Sequence, residues 1–211
     1  MNKAPEDYHL WAVENGLPFK ILYLGVPIIK LVEDLWNYQE IITSLRPGLV
    51  VEFGTWNGGS ALYFAEILRT VNPGGLVFTV CAEDQRFDIV KQHPLIQFCF
   101  SDSKNPAVGA EIHALRVLHP GPIFAILDSD HNKAHVLAEM ELLREILVAG
   151  DYLVVEDGNI NGHPVLPGWG PGPWEALEEY KTLHPEDYKP DVEREAMFGF
   201  TFAPNGYLVR C

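Results

Sequence analysis

The sequence is poor in cysteine, in basic residues and in long apolar runs, and each shortage excludes something. Its three cysteines, Cys81, Cys99 and Cys211, are odd in number and lack metal-ligand spacing. They read as reduced core thiols of a cytoplasmic protein, with neither a disulfide framework nor a thiolate metal site. Only 15 Lys and Arg stand against 29 Asp and Glu, for a formal net charge of −14. Such a surface repels phosphate backbones and anionic bilayers, so no nucleic acid and no membrane is expected as a partner. No apolar run approaches the roughly 20 residues of a membrane span. The N-terminus shows no basic-then-apolar signal pattern. Internal repeats and low-complexity segments are also missing.

What remains is a globular composition, 47% hydrophobic over 211 residues, which suits one α/β domain with a terminal extension. Residues 1–30 mix aromatic residues with Gly and Pro (Tyr8, Trp11, Gly16, Pro18, Tyr23, Gly25, Pro27). This reads as an irregular arm that covers a site, makes a subunit contact or pads the core. Residues 31–45 carry a helical stripe of Leu31, Leu35, Tyr38, Ile41, Ile42 and Leu45, which Pro47-Gly48 terminates. The division is therefore 1–47, arm and helix, and 48–211, main domain, within a single globular unit.

From residue 49 onward strands alternate with helices. Strands are expected at 49–53, 76–81, 95–100, 123–127 and 151–155, with helices at 59–70, 87–92, 108–118 and 135–148. The spacing predicts a doubly wound, mostly parallel sheet. A Gly- and Pro-rich stretch at 158–173 is too long for a plain connector and reads as a functional loop. A helix at 174–183 follows. Strands at 198–203 and 207–211, joined by Pro204-Asn205-Gly206, are expected to close the chain as an antiparallel hairpin.

The chain is organised around Leu49-Val50-Val51-Glu52-Phe53-Gly54-Thr55-Trp56-Asn57-Gly58-Gly59-Ser60. Strand, glycine turn and helix N-terminus in succession bring backbone N–H groups to a ligand at a strand's carboxyl end. The turn lacks the Gly-Lys-Ser/Thr ending of a P-loop, and its glycines do not fall as G-x-G-x-x-G. Glu52 inside the strand end suits a cationic or hydroxyl-bearing ligand better than a pyrophosphate.

Two further strand ends carry acids, Leu127-Asp128-Ser129-Asp130-His131 and Val155-Glu156-Asp157. In a parallel sheet they share an edge with Glu52. Carboxylates gathered there repel one another unless a cation intervenes, and an oxygen-rich set suits a hard divalent ion such as Mg²⁺, with Ca²⁺ or Mn²⁺ as variants. Asp130 could instead cap the following helix. His131 is placed to accept a proton, and His131 with His135 at i,i+4 spacing admits zinc as a weaker reading. His135 alone reads as a helix-face histidine.

The residues together resemble the cephalosporin hydroxylase / rhamnosyl O-methyltransferase family, from about residue 23 to Leu208. The resemblance rests on Leu24-Gly25-Val26-Pro27, Asp34-Leu35-Trp36-Asn37-Tyr38-Gln39, the glycine turn, both acidic strand ends, Asn161-Gly162-His163-Pro164-Val165 and Gly168-Trp169-Gly170-Pro171-Gly172-Pro173. It implies a class I methyltransferase fold, so that residues 48–211 bind S-adenosylmethionine. Glu52, Gly54, Thr55, Gly58, Ser60 and Glu83 would hold that cofactor, Asp102 and Ser103 would lie near its adenine, and Asp128 would stand beside them. The metal would bind Asp130, with Asp128 as the alternative, together with Glu156 and Asp157. His131 would take the proton, with His163 as runner-up. Loop 158–173, with Trp169 and Trp174, would close over the acceptor, and homo-oligomers are implied.

The expected reaction is Mg²⁺-dependent O-methylation of a hydroxyl on a small glycosylated or polar metabolite, deoxysugar-bearing metabolites among them. One departure stands out. Cys81 occupies the position where such enzymes carry a ribose-binding acid, and Glu83 follows two residues later. A non-catalytic binding partner therefore remains as an alternative, and the family's name adds an antibiotic-tailoring hydroxylase component as another.

Overall fold

A computed structural model describes residues 4–211. Helix α1 (Ala4–Glu14) and a small hairpin of β1 (Leu22–Tyr23) and β2 (Val26–Pro27) precede α2 (Val32–Leu45). Then come β3 (Leu49–Phe53), α3 (Gly59–Val71), β4 (Leu76–Cys81), α4 (Asp88–Lys91), β5 (Ile96–Phe100) and α5 (Pro106–Leu118). The second half runs β6 (Ile123–Leu127), α6 (Lys133–Arg144), β7 (Tyr152–Val155), α7 (Pro173–Leu183), β8 (Tyr188–Pro190), α8 (Val192–Ala196) and β9 (Tyr207–Arg210). Among the described residues no helix is long and apolar enough to cross a membrane.

The main sheet has the order β5-β4-β3-β6-β7-β9-β8. Strands β3 to β7 are parallel, and β9 runs antiparallel to both β7 and β8. These strands are nearly continuous apolar runs because helices cover both faces. Leu49, Val51 and Phe53 enter the core beneath α5, α6 and α7, while Val50 points to the face under α2 and α3. The chain builds outward from β3 to β5, then returns to β6 on β3's other side. Open α/β sheets bind ligands at that reversal, beyond the carboxyl ends of the strands.

Two expectations fail together at the termini. Residues 4–14 of the expected irregular arm form a helix, with Glu6 and Asp7 in its first turn, where acids favour the dipole. Residues 198–203 form no strand; the antiparallel partner of β9 is β8 instead. The alternating Phe198, Phe200 and Phe202 look like one strand face, but two of those rings serve as a platform for α1. His9 lies 5.2 Å from Phe200 and 5.4 Å from Phe202, centroid to centroid. Backbone groups there find other partners: Phe202 N donates to Asp34 Oδ2 at 3.0 Å, and Asn159 N donates to Phe202 O at 3.4 Å. The Pro204-Asn205-Gly206 turn does form, with Asn205 at φ 61°, but it leads only into β9. The cysteines also differ from expectation: Cys81 and Cys99 are half-buried, and Cys211 is exposed.

Candidate active site

Strands β4, β3, β6 and β7 end level, because Val80 pairs with Phe53, Phe53 with Leu127 and Leu127 with Val155. Three backbone bonds carry the ladder one step past the strands: Gly54 N to Val80 O, Asp128 N to Phe53 O and Glu156 N to Leu127 O, at 2.8–3.0 Å. The first residues beyond the sheet are thereby fixed as a row. No side chain fits at Gly54, where an added Cβ would lie 1.8 Å from Asp128 O. Above this row opens a cleft of about 800 Å³.

The four acids of the two strand ends divide there. Asp128, His131 and Asp157 are half-buried, line the cleft and bring one ligand atom each to within 4.8 Å of one another. His131 Nδ1 stands 3.4 Å from Asp157 Oδ2. Burial pushes the Asp157 carboxyl up to about 6; His131 pulls it down, and the Asp128 charge adds to the rise. Glu156 is 4% exposed and turns away from the cleft. Asp130 lines the rim, where its Oδ1 accepts from Asn132 N at 2.9 Å. The N-cap of α6 is Asn132, in place of Asp130.

Sequence reasoning missed the group that joins these acids. Lys30 is 1% exposed, and its Nζ donates to Asp128 Oδ2 at 2.7 Å and to Glu156 Oε1 at 2.5 Å. Burial opposes its charge, but the two carboxylates outweigh burial and hold the ammonium well above the usual lysine range. Burial likewise pushes the Glu156 carboxyl up, against the pull of Lys30. The available signal was a lone basic residue inside the apolar run Val26–Leu31 of an acidic chain.

Glu52 lies beneath the glycine turn, fully buried, on the strand face that carries Val50. Its Oε2 accepts from Thr79 Oγ1 at 2.5 Å, and Thr79 is its register partner on β4. Since that hydroxyl hydrogen is used, Thr55 Oγ1 must donate to Thr79 Oγ1 across 2.6 Å. Burial pushes the Glu52 carboxyl up to about 7, while the Ser60 and Thr79 hydroxyls draw it down. Its Oε1 has no hydrogen-bond partner.

Of the other expected residues, Gly54, Thr55, Ser60, Glu83, Asp102 and Ser103 line the cleft, as does Cys81. Gly58 caps α3 at φ 84°, and a Cβ there would meet Val90, so its place is a packing contact with α4. Ser103 is tied below to Glu139 and lies 3.0 Å from His135 Nε2. His163 is elsewhere. It stacks on Trp174 at 4.3 Å and sits 3.2 Å from Glu175 Oε1, in a separate shallow depression on α7. Within the 158–173 loop, Ile160 and Val165 are buried while Leu166 and Trp169 stand exposed at the cleft rim. Asn159 was also overlooked; it lines the cleft and donates to Nε2 of buried His9 at 2.8 Å.

Four cleft residues that are not glycine hold a left-handed backbone: Ile29 (φ 45°), Trp56 (φ 42°), Asp157 (φ 55°) and Leu166 (φ 49°). Each such conformation costs about 1–3 kcal/mol and persists only where its surroundings enforce it, as they do at ligand sites.

Residues 16–211 match the family model described as Rhamnosyl O-methyltransferase/CmcI. The chain is 54% identical, over 97% of its length, to the rhamnosyl O-methyltransferase of Mycobacterium tuberculosis, of which it covers 84%. It is 49% identical over 97% of its length to the rhamnosyl O-methyltransferase of Mycobacterium leprae, covering 90%. The solved Mg–SAM structure of cmcI superposes with a TM-score of 0.70 at 18% identity, spanning 92% of this chain and 77% of that one. At such identity the likeness speaks for the fold.

Proposed function

The chain belongs to the Rhamnosyl O-methyltransferase/CmcI family, and we propose that it moves a methyl group from S-adenosylmethionine to a hydroxyl of a sugar-bearing small molecule. The acceptor class we favour is a rhamnosyl glycoside, the group named for the mycobacterial relatives, or a related deoxysugar glycoside. The observation that carries this reading is the convergence of Asp128, His131 and Asp157 on the cleft floor beside the glycine turn.

The residues fit both groups. The carboxylates of Asp128 and Asp157 form an oxygen donor pair suited to Mg²⁺ or a similar hard cation, with His131 beside them. Asp128 and Asp157 would hold it, with Asp130 close by on the rim. A bound cation would supply charge stabilisation and orientation at the acceptor hydroxyl. For S-adenosylmethionine, Gly54, Thr55 and Ser60 line the cleft at the N-terminus of α3, and the buried Glu52 carboxylate supports the turn from below. Glu83 stands two residues past Cys81 with an exposed carboxylate, close enough to reach into the cleft in place of a strand-terminal acid.

His131 accepts the hydroxyl proton in this scheme. Asp157 stands at Nδ1, which orients the ring and leaves Nε2 for the acceptor, the division of labour that an acid–imidazole pair supports. His163 faces α7, so the assignment rests on His131. Trp169 and Leu166 on the rim and Ile160 and Val165 below them form an apolar wall that limits water around the transferring methyl. Trp11, Leu22, Leu24 and Trp36 leave exposed apolar side chains within residues 1–47 for contact between copies of the chain, and light scattering would report an oligomer.

The test is incubation with S-adenosylmethionine and a rhamnosyl glycoside, followed by mass spectrometry of both products. Equimolar S-adenosylhomocysteine and singly methylated glycoside, lost on chelation and regained with Mg²⁺, is the expected result. Calorimetric binding of S-adenosylmethionine without transfer to any glycoside would instead favour the non-catalytic reading that Cys81 raised.

A further inference from the structure

Loop 158–173 supplies the apolar wall of the cleft, and the side-chain bonds that hold it converge on Glu175, the third residue of α7. Glu175 Oε2 accepts from Gly172 N at 2.7 Å, at the loop's end, and Oε1 accepts from Asn161 Nδ2 at 2.8 Å, near its start. Asn161 Oδ1 then accepts from Gly170 N at 3.1 Å. Val165, Leu166 and Trp169 lie in the span between these grips, and all three line the cleft. The loop's end also leans on the segment that carries His131. A Cβ at Gly172 would lie 3.2 Å from His131 O, and Lys133 N donates to Pro171 O at 3.0 Å. Glu175 and Asn161 themselves do not line the cleft.

The carboxylate sets the polarity of this relay. An ionised Glu only accepts, so Gly172 N and the Asn161 amide both donate to it, and the amide oxygen is left for Gly170 N. Burial would raise the Glu175 carboxyl, but the hydrogen bonds from Gly172 N, Asn161 and His163 hold it at about 2. An amide in its place would bring one acceptor and one donor. Whichever way it turned, two donors would meet, at Gly172 or at Asn161, and turning Asn161 would only move the conflict to Gly170.

We propose that Glu175 is a positioning residue: it grips both ends of loop 158–173, holds the apolar wall against the cleft and thereby sets how tightly the acceptor binds. This rests on the reading above of that loop as the acceptor's wall. His163, 3.2 Å from Glu175 Oε1, adds a contact on which neither grip depends. A carboxylate that only capped α7 would need Gly172 N alone, and acceptor binding would not feel its loss.

The experiment compares the wild type with Glu175→Gln, Asn161→Asp and the double variant. Asp tolerates the left-handed backbone of residue 161 (φ 58°) but meets Glu175 as a second carboxylate. In the double variant the relay closes again with one bond reversed. The new amide takes Gly172 N on its oxygen and donates to the new carboxylate, which still accepts from Gly170 N. Amide hydrogen exchange across 161–172, read by mass spectrometry, should run about tenfold or more faster in each single variant and return to within about threefold of the wild type in the double. With para-nitrophenyl rhamnoside as acceptor, KM should rise about tenfold in the singles and recover in the double, while kcat stays within about threefold. The calorimetric Kd for S-adenosylmethionine should stay within about twofold throughout, since the relay shares no partner with that end of the cleft.

Unchanged loop exchange in the single variants, or a double variant no better than the singles, overturns the proposal. So does a wild-type KM in variants whose loop exchanges faster, which would make Glu175 a brace with no part in acceptor binding. A wild-type chain that transfers no methyl group to the glycoside overturns the acceptor reading instead, and the exchange pattern still decides whether Glu175 grips the loop.

Discussion

The carboxyl edge of the sheet and the N-terminal arm meet in one cleft, and they are held there on different terms. The edge is fixed by ladder hydrogen bonds that continue one residue beyond β3, β6 and β7, so Gly54, Asp128 and Glu156 have little freedom. Among the described residues the arm has no ladder with the main sheet. It is held by contacts with residues farther along the chain: the side chains of Lys30 with Asp128 and Glu156 and of His9 with Asn159, the backbone of Pro27 over Gly59, and the apolar packing of Ala12 and Leu31 against Phe202. The difference suggests a division: the rigid edge carries the chemistry, and the arm supplies charge balance and cover.

Substitutions on the edge should therefore strike activity and spare the fold. The largest effect is expected from Asp157→Asn. Methyl transfer should fall about a thousandfold, the equivalent of about 4 kcal/mol of lost charge stabilisation. Thermal stability at pH 8 should hold or rise, since burial disfavours that carboxylate. Steady-state kinetics and melting curves on the same preparation check both halves. An inactive but destabilised variant would break the division.

His131→Gln should cost about a hundredfold or more in turnover, with bound S-adenosylmethionine unaffected. A variant that keeps its turnover would move the proton acceptor elsewhere.

For the arm the expected loss is stability. Burial pushes His9 down to about 4 from the 6.5 of an unperturbed imidazole. Between those values the unfolded chain binds a proton that the folded chain refuses, so stability rises with pH across the window and is lost on acidification. The contribution is at most about 3 kcal/mol. Glu52 and Asp157 slope the other way, because their folded values are raised. The difference between the wild type and His9→Gln, measured by denaturant unfolding from pH 4 to 6.5, isolates the histidine. A constant difference across that range would contradict it.

The smallest effect is expected from His163→Ala, which should change turnover less than about threefold, as surface substitutions away from a site usually do. A large loss would show that the loop brings His163 over the cleft.

The edge was legible in the sequence because parallel strands buried on both faces must be short apolar runs, and polar residues at their ends stand out. Glu52, Asp128 and Asp157 were singled out that way. What spacing could not tell was how acids at one edge would divide. Glu156 and Asp157 are adjacent, yet one turns into the protein and the other, at φ 55°, into the cleft. The arm was misread because its partner was misread. The alternation of Phe198, Phe200 and Phe202 fits a strand face as well as a platform for α1, and only the distant Asp34 and Asn159 decide between them by taking the backbone groups. Lys30 was missed for a similar reason, since its carboxylates lie 98 and 126 residues away in sequence.

The most direct test of the account is methyl transfer by Asp128→Asn set beside Asp130→Asn, assayed with saturating S-adenosylmethionine and Mg²⁺. Asp128 stands in the converging cluster and Asp130 accepts hydrogen bonds on the rim. The prediction is an inactive Asp128→Asn and an Asp130→Asn that keeps most of its turnover. An active Asp128→Asn with an inactive Asp130→Asn would contradict the site as assigned here.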